Sequence, residues 1–145
     1  MFVLRGMLES HAAARAARRL SPEQIDELRA LNIAIDAAIA LDRPDVSTFL
    51  ECNHNFHAII LDAAASPRLT ATLGALVEQP VVRRTASRYG HEQLHRSAAE
   101  HAQLVASFEA SDVEWARAVM LGHIRRAFHA FSDTFTKLEM ARPAP

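Results

Sequence analysis

Histidines 57, 101 and 123 fall where helical periodicity calls for apolar side chains. Around His57 the stripe reads Phe49, Leu50, Asn53, Phe56, His57, Ile60 and Leu61, so Asn53 interrupts the same face one turn earlier. His101 lies among Leu94, Ala98, Leu104, Val105 and Phe108, and His123 among Ala116, Val119, Met120, Ala127 and Ala130. Buried polar groups need partners. Two arrangements supply them: the imidazoles satisfy one another in a hydrogen-bonded network, or they surround a divalent transition metal. Asn53 and His57 sit about 40° apart around a helix and about 6 Å apart along it, so both can address one ion. Three imidazoles and an oxygen leave room for a water or a ligand oxygen, which describes an open site. Residue type and spacing alone favour neither reading.

Other residues make weaker claims. His91 and His95 also stand four apart, but beside a helix start, where an exposed pair is the simpler reading. His54 and His129 fall on polar faces, and the face of His11 is not decided by the pattern. Cys52, the lone cysteine, reads as a small buried hydrophobe. Arg5 precedes Glu9 by four residues, which describes either a solvated helical pair or a guanidinium fork facing a carboxylate in a cavity. Arg83, Arg84 and Arg88 read as solubilising charges, with anion binding as the alternative. Glu100 adjoins His101 but lies about 100° around the helix from it, so it is expected to point elsewhere. No carboxylate is thereby placed near the histidines as a general acid or base.

The elements that must carry these residues are helices. Half of the residues are hydrophobic, with four glycines and six prolines, and strand-like alternation is missing. The expected fold is all-α, with about six helices. The first runs to about Arg19. Ser21-Pro22-Glu23-Gln24 carries a capping box for the second, which buries Ile25, Leu28, Leu31, Ile35 and Ile39. The third spans about Pro44 to Ala65. Ser66-Pro67 opens a fourth, extending to about Tyr89 with a kink at Pro80 and a C-cap at Gly90. The fifth spans about His91 to Ala110. Ser111-Asp112-Val113-Glu114 reads as the capping box of a long sixth helix with Trp115, Ile124, Phe128, Phe131 and Phe135 on its apolar flank.

The chain of 145 residues suits one domain, expected over 1–140, with 141–145 as a frayed tail. A net charge of −1 gives no general electrostatic reason to bind nucleic acid. One cysteine excludes an internal disulfide framework and suits a reducing cytoplasmic setting. The N-terminus has no secretory-signal pattern, and no apolar run reaches the length of a membrane span.

Taken in order, Arg5-Gly6-Met7-Leu8-Glu9, Asn53-His54-Asn55-Phe56-His57, Ala64-Ala65-Ser66-Pro67-Arg68-Leu69, Glu100-His101 and Met120-Leu121-Gly122-His123 resemble the C-terminal effector-binding domain, the FCD domain, of FadR-type GntR transcriptional regulators. The resemblance covers nearly the whole chain. It implies an antiparallel all-α bundle of these six or so helices, commonly dimeric, whose cavity often holds a divalent metal, zinc or nickel first, that helps bind a small organic acid. It carries the family's metal ligands onto His57, His101 and His123, and its effector-binding arginine onto Arg5. The family's usual aspartate falls on Asn53, which removes a negative charge from the ligand set. The winged helix-turn-helix reader that precedes such sensors is expected to be absent from this chain. Two other functions fit the residues: a metal-dependent helical hydrolase, and a metal-free dimerisation module.

Overall fold

A computed structural model describes residues 2–76, 86 and 88–140, apart from the side chains of residues 2, 131 and 133–140. The kink at Pro80, Arg83, Arg84, the tail 141–145 and the side chains of Phe131 and Phe135 lie outside the described residues. Six helices are described: α1 (Phe2–Ala16), α2 (Pro22–Ile39), α3 (Val46–Ala63), α4 (Pro67–Leu76), α5 (His91–Glu109) and α6 (Val113–Met140). No strand occurs among the described residues.

Local chemistry sets the boundaries. Ser21 caps α2 with the expected reciprocal pair: its hydroxyl accepts from the Gln24 amide, and the Gln24 side chain accepts from the Ser21 amide. Asp45 caps α3 through the Thr48 amide, and the Ser66 hydroxyl accepts from the Leu69 amide at the start of α4. Two expectations need correction. Gly90 does not close a helix; its extended backbone makes it the N-cap of α5. Asp112, not Ser111, caps α6, accepting from the Trp115 amide at 2.9 Å. Ser111 instead takes a left-handed φ of 52° and ends α5, with the Asp112 amide reaching back to the Ser107 carbonyl. Ala65 does the same after α3, at φ 50°.

Small residues let the helices approach closely. Ala12, Ala13 and Ala16 are buried along α1, as is Ala17 just beyond its end, and α1 packs chiefly on α6. At Gly6 an added Cβ would stand 3.3 Å from Leu121 Cδ1, so α1 and α6 meet there almost backbone to side chain. Leu28, Phe56, Leu104, Phe108, Met120 and Ile124 fill the main core between α2, α3, α5 and α6. Ile35, Ile39, Phe49 and Leu94 form a second cluster. On α6, Ile124 is buried as expected, but Trp115 and Phe128 are exposed, because the buried stripe runs through Ala116, Met120, His123 and Ile124.

Pairings across the bundle give the helix directions. Glu100 on α5 meets His123 and Arg126 on α6, and Ser107 meets Asp112, so these neighbours run antiparallel. Arg29 on α2 pairs with Glu109 on α5. Glu9 meets His57 while Arg15 meets the carbonyls of Ala64 and Ala65, so α1 and α3 advance in the same direction. Arg15 thereby neutralises the negative end of α3 and satisfies its last carbonyls. Replacing Arg15 with Met should cost about 1–2 kcal/mol in urea denaturation, with an unchanged denaturant slope; a loss below the error of the measurement would show that these contacts contribute nothing net.

Candidate metal centre

His57 is on α3, His101 on α5 and His123 on α6, and the fold brings them into one cluster. Ring centroids are 5.5 Å apart for His57 and His101, 5.3 Å for His57 and His123, and 5.0 Å for His101 and His123. One nitrogen from each lies within 4.8 Å of the other two. His101 is fully buried and stacks on Phe56, with centroids 4.2 Å apart and planes 9° from parallel. That packing fixes the ring in an apolar wall.

The mutual-network reading fails on the hydrogen bonds. Both nitrogens of His101 and the Nε2 of His57 are buried with no hydrogen-bond partner among the described residues. Each such orphan costs about 1–3 kcal/mol. The imidazoles face one another without bonding. Burial, and then the charges of His123, His57 and Arg126, hold the His101 pKa well below its ordinary value, so the ring is neutral with a free lone pair. Burial also lowers His123, against the opposing pull of Glu100.

Two carboxylates fix the outer edges of the cluster. His57 Nδ1 donates to Glu9 Oε2 at 2.8 Å, and His123 Nδ1 donates to Glu100 Oε2 at 2.7 Å. An ionised carboxylate only accepts, so each ring carries a proton on Nδ1 and points Nε2 away from the carboxylate. Carboxylate, imidazole and inward-facing nitrogen in series form the arrangement that orients metal-binding histidines. Each carboxylate is in turn held by an arginine: Glu9 by Arg5, and Glu100 by Arg126, whose Nε and terminal nitrogen reach both carboxylate oxygens. Burial alone would raise Glu9; the charges of His57 and Arg5 and their hydrogen bonds outweigh it and hold the carboxyl at about 2. At Glu100, burial is outweighed by hydrogen bonds from His123 and Arg126, again giving about 2.

The chemistry of the donors fits a divalent transition metal. Three imidazoles converge, with unpartnered nitrogens on His57 and His101, and two carboxylates supply charge behind His57 and His123. His57, His101 and His123 would hold such an ion and supply it with imidazole nitrogen donors.

Beside this cluster a cavity of about 640 Å³ opens between α1, α3 and α4. Arg5, Glu9, Asn53 and His57 line it, so three predicted residues share its wall with one that sequence reasoning passed over. His101 and His123 are more deeply buried and are not among the described residues that line it. Arg5 is neither a solvated surface arginine nor a free fork: its side chain is largely buried, and Glu9 takes its Nε. Glu100 does not point elsewhere. Its position about 100° from His101 is what aims it at α6, where the antiparallel packing delivers His123 and Arg126. Among the remaining expectations, His91, His95, His129, His11 and Arg88 are exposed, as is His54, which nonetheless lines the cavity. Cys52 is half-buried, and burial raises its thiol pKa, so it is no ready nucleophile.

Residues 1–126 match the family model of the FCD domain. Among solved structures, E. coli McbR/YncC is similar in fold, with a TM-score of 0.80 at 20% sequence identity, over 92% of this chain and 63% of that one. The chain thus spans somewhat under two thirds of the McbR/YncC chain. No curated protein matches the sequence.

The depressed pKa values set a pH dependence for the metal-free protein. His101 and His123 are lowered on folding, so the unfolded chain binds protons first and stability falls as pH drops below about 6.5. Glu9 and Glu100 contribute stability that is present above 4.5 and is lost as pH falls toward about 2. Urea midpoints at pH 7.5, 5.5 and 3.5 should decline at each step, and His101→Leu should flatten the first; equal midpoints at pH 7.5 and 5.5 would refute the neutral, buried state of these rings.

Proposed function

The chain belongs to the FCD domain family, and from that premise we propose that it is the effector-sensing domain of a GntR/FadR-type transcriptional regulator that binds a small organic acid beside a divalent metal. The observation that carries this reading is the set of orphaned, inward-facing imidazole nitrogens next to a cavity. A protein that needed only a core would fill those positions with Leu or Val and avoid the cost of unpaired buried nitrogen.

In this reading His57, His101 and His123 hold the ion, with zinc or nickel the expected metals. Asn53 supplies a neutral fourth oxygen or a hydrogen bond behind the ligands, at lower affinity than aspartate would give. Glu9 and Glu100 keep the rings in the metal-binding tautomer and return some of the negative charge that Asn53 lacks. When bound, such an ion offers a Lewis-acidic position for an oxygen of the acid. Arg5, lining the cavity one helical turn from Glu9, presents its remaining guanidinium edge to the acid's carboxylate.

Sensing then follows from shared walls. The cavity is bounded by α1, α3 and α4, so a ligand that fits one placement of α1 better shifts the population toward it. In a regulator of this type the DNA-reading winged helix-turn-helix domain is attached ahead of α1, and the shift would reposition it across a homodimer. Val3, Leu4 and Met7 are exposed on α1 and supply an apolar surface for that assembly. Among the described residues no helix is long and apolar enough to cross a membrane, in keeping with a cytoplasmic sensor.

The hydrolase alternative is disfavoured on chemistry. Glu9 and Glu100 stand near the histidines, but at about 2 their pKa values make them poor general bases near neutrality, and both are committed to arginine. The metal-free dimerisation module would leave the orphaned nitrogens unexplained.

Elemental analysis of the purified protein should give about one zinc or nickel per chain, and calorimetry on metal-loaded protein should detect an organic acid. His123→Ala should lose the metal and keep the helical circular dichroism, and Asn53→Asp should tighten metal binding at least tenfold. Protein with no metal uptake and no acid binding contradicts the proposal, and helical content lost in His123→Ala at any metal concentration favours a purely structural role.

A further inference from the structure

The size, walls and charge balance of the cavity narrow the ligand, given the reading that it is an effector site. At the roughly 30 Å³ that each molecule occupies in liquid water, about 640 Å³ corresponds to about twenty waters, far more than a three-carbon hydroxy acid fills. The walls differ from end to end. Arg5, Glu9, Asn53 and His57 gather the polar groups at one end, with Ser47 and His54 on the same helix as Asn53, whereas Ala12, Leu61 and Leu73 supply apolar wall beyond them, interrupted by the Thr70 hydroxyl, which donates to the Ser66 carbonyl. Ala12 is seven residues beyond Arg5 on α1, a rise of about 10 Å. Because α3 runs parallel to α1, Leu61 lies beyond Asn53 in the same direction by about 12 Å. The apolar cluster of Ala12, Leu69 and Leu73, with Leu61 packed on it, closes that end.

Charge limits the head group. Arg5 is the sole arginine or lysine among the described residues that line the cavity, and Glu9 already takes its Nε edge. Glu51, exposed at the rim, adds a second negative charge. One carboxylate can be matched by the guanidinium of Arg5 and the metal. Among the described lining residues a second carboxylate farther along the cavity would face no arginine or lysine, and a row of hydroxyls against Leu61 and Leu73 would find only Thr70.

We infer that the ligand is a monocarboxylate with an extended apolar body, seated with its head at Arg5 and the histidine cluster and its body along Ala12, Leu61 and Leu73. Entry is open between α3 and α4, where Ala58 and Gly74 are small and exposed. At Gly74 an added Cβ meets nothing within 4 Å, so a side chain can start from this exposed position without a clash.

The test is calorimetry of the zinc-loaded protein with propionate, octanoate, phenylacetate, succinate and gluconate. Octanoate or phenylacetate should bind at least tenfold more tightly than propionate, and the preference between these two reports whether the body is linear or aromatic. Succinate and gluconate should bind no more tightly than propionate. Gly74→Trp should weaken the favoured acid at least fivefold with metal content unchanged. Tighter binding of succinate or gluconate overturns the inference and leaves acid sensing intact, and so does an apolar acid that binds Gly74→Trp unchanged, since that describes surface adsorption. Binding of none of the five removes the sensing proposal and the inference with it.

Discussion

A buried carboxylate persists only where cations and N–H donors surround it, and Glu9 and Glu100 meet that constraint by tying four helices together. Glu9 joins α1 to α3 through His57, and Glu100 joins α5 to α6 through His123 and Arg126. His57 with Arg5, and His123 with Arg126, keep the two groups ionised. Ionised, they can only accept, which determines the proton position on two imidazoles and turns the opposite nitrogens inward. His101, clamped on Phe56 in an apolar wall, provides the third ring without any such partner. The site is therefore a product of electrostatics at its edges and of packing at its centre.

This arrangement carries a standing cost. Neutral, desolvated imidazoles with unpaired nitrogens destabilise the metal-free bundle, and the cavity beside them removes apolar contacts that a filled core would make. The compensation comes from the alanine-rich face of α1, whose small side chains let α6 approach closely, and from two well-filled apolar clusters on either side. A bundle stabilised away from its site can tolerate strain within it. A metal that binds only the folded state would offset the cost directly.

Much of this was legible in the sequence, because helical periodicity alone marks a polar residue on an apolar stripe. His57, His101 and His123 were found that way, and Ser21 and Ser66 announced helix starts through chemistry confined to three or four residues. Glu9 and Glu100 were missed for a common reason. Each lies off the stripe of its own helix, and only the relative placement of two helices reveals which neighbour it faces. The signal available was the Arg5 and Glu9 spacing, which registers the ion pair but not the third partner 48 residues away. Gly90 and Ser111 were misassigned because a short turn between helices can end one or begin the next, and the backbone angles decide. The exposure of Trp115 and Phe128 follows likewise from which face of α6 meets α1 and α5, a matter of packing rather than composition.

The central claim is that three imidazoles, two of them aligned by carboxylates, form one metal-binding unit. Titration of the metal-free protein with cobalt(II), followed by visible absorption, addresses it directly. One equivalent should produce the d–d bands of a low-coordinate nitrogen site, weakened in Glu100→Gln and absent in a His101→Gln, His123→Gln double variant that retains its helical spectrum. Bands that fail to develop, or that survive in the double variant, would contradict the account.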